Sequence, residues 1–316
     1  FRLMRISSTT VALARCADYR EPALLDVIDR MWVACAPSFS LRGTQVLLKP
    51  NLITARRGLL ACTEGRFILA AAKWHLDQGS RVTVGDSPAF GTVESILEQL
   101  GIGRQLRDMG VRITDFRQTR QVALPSGLRV GVACEALDCD HLVNLPRVKA
   151  HVQMRVTLAV KNYFGCVGGM RKPLWHMVHG GRQGRFADHL VELLDVLPGG
   201  ITLLDGITAM HRTGPTGGEP FPLGVAACSE NPVALDLALL EVLGVGLEAS
   251  PLFAACRRRG LAGSEPESLK YPLASPADLQ TAGFVVPPDL VSIRFNPLRF
   301  VKNSLRRLLI RMGFLS

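Results

Sequence analysis

The sequence predicts an α/β protein: a mostly parallel, twisted sheet or sheets flanked by helices, with a site at the carboxyl ends of the strands. Three observations predict it. Short apolar runs of strand length alternate with longer stretches at helical spacing. Polar residues able to do chemistry cluster just after the strand-like runs, where open α/β sheets collect their ligands. The chain of 316 residues is 47% hydrophobic and only 20% charged, which supplies a large core and excludes disordered, collagen-like and coiled-coil compositions.

The elements follow in order. Val46-Leu47-Leu48 predicts a strand ending in Lys49-Pro50-Asn51. A helix over 64–78 carries Phe67, Ile68, Ala71, Trp74 and Leu76 on its apolar face. A second strand at 81–85 runs into Asp86-Ser87-Pro88. The helix from Thr92 to Leu100 is closed by Gly101, a normal C-terminal glycine. Further strands are predicted at 111–113, 142–145 and 201–204, and a helix runs from near Phe186 towards Gly200. This core spans 4–250, in one lobe or two. A proline-rich segment, 251–295, is expected to be irregular. The last segment, 296–316, predicts a basic amphipathic helix, with Asn296 as cap, Pro297 in the first turn, and Leu298, Val301, Leu305, Leu308, Met312 and Leu315 along one stripe.

The formal charge is +10, but it is unevenly placed. The 47 residues between Asp140 and Asp188 contain no acid and carry +8, and the 27 residues after Asp289 carry +6, which leaves the rest at −4. The first basic window also holds four of the seven histidines (His141, His151, His176, His179). Cations without local carboxylates must meet water, distant acids or a bound anion. A small anionic substrate is therefore the expected partner. The tail stripe fits docking on the protein itself, on a partner, or on an anionic membrane surface. Aromatic residues make up only 6% and no nucleic-acid motif is visible, so no nucleic-acid partner is expected.

Eight cysteines contain no C-x-x-C pair, so they are expected to be reduced thiols in a cytoplasmic protein. The run Thr10–Ala14 is shorter than a signal-peptide core, and no apolar stretch reaches membrane-spanning length. No G-x-G-x-x-G follows a strand and no Walker sequence is present, which argues against a standard NAD or ATP site.

The candidate catalytic groups are His151, Lys161, Asp86, Asp205 and His176. The candidates for holding substrate are Lys49, Asn51, Ser87, Lys149 and Asn162, with Gly217 and Gly218 in a loop whose N–H groups can approach a ligand closely. Lysines and amides converging at strand ends can hold a carboxylate or phosphate and stabilise a developing oxyanion or enolate. A histidine or aspartate beside them can move a proton. Cys62, Cys166, His176 and His179 are the weak candidates for metal ligands.

The blocks Lys49-Pro50-Asn51, Gly85-Asp86-Ser87, Asn144 to His151, Thr157, Val160 to Gly165, His176, Asp205-Gly206, Gly214 to Gly218 and Pro232 to Asp236 carry a resemblance. In order and spacing they resemble the family called domain of unknown function 362. Members often carry an iron–sulfur module, so the resemblance implies redox chemistry. This chain lacks that module, and it has Met210-His211-Arg212 where relatives often have an acidic residue and glycine. Two functions are expected. One is an enzyme, reductase-type or carbanion-type, with electrons for the redox form coming from an external ferredoxin-like donor or a cluster on dispersed cysteines. The other is a non-catalytic protein that binds a cofactor or lipid-linked intermediate at a membrane surface.

Overall fold

A computed structural model describes residues 7–54, 58–168 and 185–290. The chain runs β1 (Ala12–Arg15), α1 (Glu21–Cys35), β2 (Gln45–Pro50), α2 (Gly65–Asp77), β3 (Arg81–Asp86), α3 (Val93–Gln99), α4 (Gly103–Asp108) and β4 (Arg112–Asp115). A hairpin, β5 (Thr119–Ala123) and β6 (Arg129–Ala133), precedes α5 (Cys134–Asp138). Next come β7 (His141–Leu145), β8 (Arg147–His151), β9 (Arg155–Thr157), α6 (Ala159–Asn162) and α7 (Arg185–Glu192). The described chain closes with β10 (Gly200–His211), β11 (Glu219–Ser229), α8 (Pro232–Val242), α9 (Pro251–Arg258) and α10 (Pro276–Leu279).

The main sheet has the order β1-β11-β10-β7-β2-β3-β4. Every pairing from β10 to β4 along this path is parallel, so the carboxyl ends of β7, β2 and β3 share one edge. The expected parallel α/β fold is present, with β1 and β11 adding antiparallel pairings at one side. Strand β10 is longer than the run 201–204 predicted: its first half pairs with β7 and its second half with β8, which in turn pairs antiparallel with β9. The run Thr10–Ala14 contributes the edge strand β1.

Alternation along β2 explains the two-sided core. Val46 and Leu48 face α1 and α2, together with Val82, Val84 and Val143. Leu47 and Leu142 face the other layer, with Tyr163, Phe164, Phe186 and Leu190. Helix α8 is apolar on nearly every side apart from Asp236 and Glu241, and all of it but Glu241 is buried. Asn231 caps it, its side chain accepting from the Val233 and Ala234 N–H groups at 2.9 and 3.2 Å.

The expectation of irregular chain from 251 onwards is corrected in its first part. Pro251 begins α9, capped by Ser250, and Leu252, Ala255 and Cys256 of that helix enter the core. Proline breaks a helix from within but fits its first turn, and the density of prolines hid that distinction. The predicted helix 296–316 lies outside the described residues.

Candidate functional site

Lys49 and Asn144 are register partners on β2 and β7 and point into the same layer as Leu47 and Leu142. Both are buried in what would otherwise be an apolar strand interior. Asn162, from α6, lies between them: its amide nitrogen donates to Asn144 Oδ1 at 2.8 Å and to the Lys49 carbonyl at 3.2 Å. Its carbonyl oxygen accepts from Asn51 Nδ2 at 2.8 Å and from Lys49 Nζ at 3.4 Å. Asn51 then accepts from Lys149 Nζ at 2.7 Å. A continuous polar chain therefore crosses the carboxyl edge of the sheet from Thr202 and Asn144, through Asn162 and Asn51, to Lys149.

Each lysine in this chain has a different balance. Lys49 Nζ lies 3.0 Å from Asp86 Oδ1, 2.9 Å from the Pro50 carbonyl and 3.4 Å from Asn162 Oδ1. Two of these contacts are hydrogen bonds and the one with Asp86 is an ion pair, Asp86 Oδ1 itself taking no hydrogen bond. The other Asp86 oxygen accepts the Leu52 N–H at 2.8 Å. Gly165 closes over this pair: a Cβ there would overlap Lys49 Cε, Lys49 Nζ and Asp86 Oδ1, so only glycine lets the backbone come so near. Ser87 anchors the same turn by donating to the Gly165 carbonyl at 2.6 Å.

Lys149 has only two acceptors, Asn51 Oδ1 and the Ala61 carbonyl at 2.8 Å, and its side chain is 1% exposed. Burial lowers its pKa to about 7, and the Lys161 and Arg147 cations push in the same direction. The neighbouring Cys62 would favour the ammonium only as a thiolate, and burial raises that thiol's pKa. Asp86 is the opposing carboxylate.

Lys161 and Asn162 are positioned through Asp236 on α8, whose carboxylate accepts the Ala159 and Val160 N–H groups at 2.7 and 3.3 Å. Burial raises the Asp236 pKa to about 8 against those two donors. The Lys161 ammonium lies 5.7 Å from the Phe164 ring centroid, within cation–π range. His151 ends β8, and its Nδ1 accepts the Gln153 N–H at 3.1 Å.

Sequence reasoning thus named most of the cluster: Lys49, Asn51, Asp86, Ser87, Lys149, Lys161 and Asn162 converge. Asp205 belongs to a neighbouring network. It accepts from Tyr19 OH at 2.8 Å and from the N–H groups of Glu64 and Ile207, with Arg147 at 3.8 Å, and burial raises its pKa. This network ties β10 to the starts of α1 and α2. Gly217 and Gly218 lie in the β10–β11 turn, where Gly218 packs on the carbonyls of His211 and Thr213 of the same turn. His211 packs against Phe221, with ring centroids 5.1 Å apart. His176 and His179 lie outside the described residues. Asn144 and Thr157 were named only as residues carrying the resemblance, and Thr63, whose hydroxyl accepts the Asn51 N–H at 2.8 Å and donates to the Leu145 carbonyl at 2.6 Å, was missed. For Asn144 the usable signal was a polar side chain inside a buried parallel strand.

The implied iron–sulfur cluster does not fit the described residues. All eight cysteines are free, and no three His, Cys, Asp or Glu side chains gather among the described residues. Cys62 is buried and its thiol lies 3.6 Å from the Thr54 carbonyl.

Fold and site together define an α/β protein with a buried lysine–asparagine chain at the carboxyl edge of a parallel sheet. The chain belongs to the family described as domain of unknown function (DUF362), whose model matches residues 46–241. It is 33% identical over 306 residues to a thylakoid-associated protein of Synechocystis sp., covering 96% of this chain and 95% of that one. Among solved structures it is similar to the lactate racemase apoprotein of Thermoanaerobacterium thermosaccharolyticum, at TM-score 0.47 and 12% identity over 71% of this chain. A Thermotoga maritima protein matches at TM-score 0.36 and 10% identity over 66% of this chain. Each match spans 55% of the solved chain. No helix among the described residues is long and apolar enough to cross a membrane.

Proposed function

We propose that this chain is an enzyme that binds a small anionic organic substrate at the carboxyl edge of the sheet and moves a proton on it, a carbanion-type reaction. The observation that carries this reading is Lys149. A buried amine with a pKa near 7, held at the end of a fixed amide chain, can take or give a proton at neutral pH. A scaffold gains nothing from such a group, because removing an amine from water costs stability. The cations around it, Lys49, Lys161 and Arg147, favour an anionic substrate and stabilise negative charge developing on it. A reductase fed by an external ferredoxin-like donor is the redox form of the same reading. The proton-transfer form is preferred because Lys149 supplies an acid–base group.

Thermal unfolding with oxalate, pyruvate and inorganic phosphate tests the binding step, and deuterium uptake into pyruvate in D2O tests the proton step. At least one anion should stabilise the wild type, and Lys149→Met should keep its cooperative unfolding while losing deuterium uptake. No stabilisation by any of the three, or equal uptake by the variant, would sink the reading.

The name of the Synechocystis relative favours a second element, placement at a membrane surface. The basic arginines of 294–311 supply attraction to anionic lipid. Co-sedimentation with vesicles containing phosphatidylglycerol should fall when 296–316 is deleted; unchanged binding would remove this element.

A further inference from the structure

A neutral amine has two N–H donors and one lone pair, whereas an ammonium has three donors. Lys149 has two acceptors, Asn51 Oδ1 and the Ala61 carbonyl. The neutral form is thus fully paired and presents its lone pair in the remaining direction, while the ammonium would leave one buried hydrogen unpaired. Asn162 makes four hydrogen bonds, Asn51 uses both ends of its amide, and Lys49 makes two hydrogen bonds and an ion pair with Asp86. Asp86 Oδ1 takes no hydrogen bond, but it is engaged by the Lys49 charge, whereas Lys149 has no ion-pair partner among the described residues for its third position.

A second observation comes from the adjacent strand. Thr157 on β9 is the register partner of Lys149 on β8. Directly opposed residues point to one face, with Cβ atoms roughly 4.5–5.5 Å apart. The Thr157 hydroxyl is buried and makes no hydrogen bond. A buried hydroxyl without a partner is costly, so an orphan on the same face as an open amine marks a place where a ligand oxygen fits.

We propose that Lys149 forms an imine with the carbonyl carbon of a small 2-oxo acid, with the Thr157 hydroxyl hydrogen-bonded to the carbonyl oxygen as it becomes a hydroxyl. The amine lone pair attacks the carbonyl carbon and the C=O π pair moves to oxygen. The proton leaving nitrogen compensates the one gained by oxygen, giving a carbinolamine. Loss of water then leaves C=N, so amine plus carbonyl gives imine plus water with no change in oxidation state. The protonated imine is an electron sink for a carbanion on the adjacent carbon, which gives the reaction proposed above its chemical means. The Lys161 cation, within electrostatic reach of Lys149, meets the substrate carboxylate. The edge reaches solvent at Ser87–Phe90, beside Asp86. This inference rests on the reading that the edge binds an organic anion.

The probe is glyoxylate with sodium cyanoborohydride, which reduces an imine to a stable carboxymethyl amine, located by peptide mapping of the wild-type protein. At pH 7 an ordinary lysine is neutral in roughly one molecule in 2,500 and an amine of pKa near 7 in about half, a ratio on the order of 10³. Lys149 should therefore be labelled at least about tenfold faster than the exposed Lys73, with a midpoint near pH 7 rather than in the ordinary lysine range. Thr157→Val should slow labelling of Lys149 but not of Lys73, and should leave the fold intact because no hydrogen bond is lost. Absence of the Lys149 adduct, or labelling that follows exposure, overturns the proposal. Stabilisation by oxalate, measured in parallel, separates the two failures. With it, only the imine falls; without it, the anion-binding reading falls too.

Discussion

The Lys49–Asp86 pair gives the most direct test of which lysine is a strut and which is a reagent. Lys49→Met removes an ammonium that meets Asp86, the Pro50 carbonyl and Asn162 Oδ1. It leaves the Asp86 carboxylate buried with the Leu52 N–H as its remaining hydrogen-bond donor. Breaking one side of a buried pair costs about 3–5 kcal/mol, most of it the stranded charge. The total stability of such a domain is about 5–15 kcal/mol, so the variant should fold but unfold at much lower urea. Asp86→Asn keeps an oxygen for Leu52 and should cost less. The double variant strands no charge and should be more stable than the sum of the singles implies, by about 2–3 kcal/mol. Urea unfolding of the four proteins, followed by circular dichroism, reads the coupling directly. Costs that add within about 0.5 kcal/mol would refute the pairing argument. A Lys49→Met protein of unchanged stability that no longer responds to oxalate would make Lys49 a ligand group instead of a strut.

Two further predictions rest on the same geometry. Lys149 has a folded pKa near 7 and an unfolded value near 10.5, so between these pH values the unfolded chain binds more protons and stability should rise with pH. Its destabilisation, of order 4–5 kcal/mol at 1.36 kcal/mol per unit, is complete below pH 7 and fades towards pH 10.5. Because Cys62, Lys161, Arg147 and Asp86 all act on this amine, the wild type must be compared with Lys149→Met across that range, and equal pH slopes would refute the depressed amine. Gly165→Ala places a Cβ on Lys49 and Asp86 and should cost at least about 1–3 kcal/mol by overpacking. A neutral result in the same urea assay would mean that the α6 turn does not seal the pair.

The parallel core was legible because β2, β3 and β7 are short apolar runs, each followed by a polar cluster, and those clusters met as expected. The roles within the cluster were not legible. Lys49 and Lys149 both read as cations in apolar sequence, yet each makes two hydrogen bonds and, among the described residues, only Lys49 has a carboxylate, Asp86, paired with it. That difference depends on which of the two amines Asp86 meets, and three-dimensional partners leave no mark on spacing. Asp205 followed a strand end as Asp86 did, but the strand continued past it to His211, so it became an interior brace. Thr157 could not have been singled out by type, since its meaning lies in having no partner opposite Lys149.

The acid-free window also looks different once its partners are known. Arg147 donates to the carbonyls of Thr208 and Cys62 at 2.7 and 2.9 Å, and Arg155 to those of Ala249 and Pro288 at 3.3 and 2.7 Å. Carbonyls occupy hydrogens of these two cations, and the Asp205 carboxylate lies 3.8 Å from Arg147. An anion drawn to this edge is attracted by the field of several fixed cations, and Lys149 offers the open valence at the end of the polar chain. Field attraction discriminates poorly among carboxylates. Selectivity must then come from a functional group that only some carboxylates possess, and a carbonyl within reach of a neutral amine is such a group.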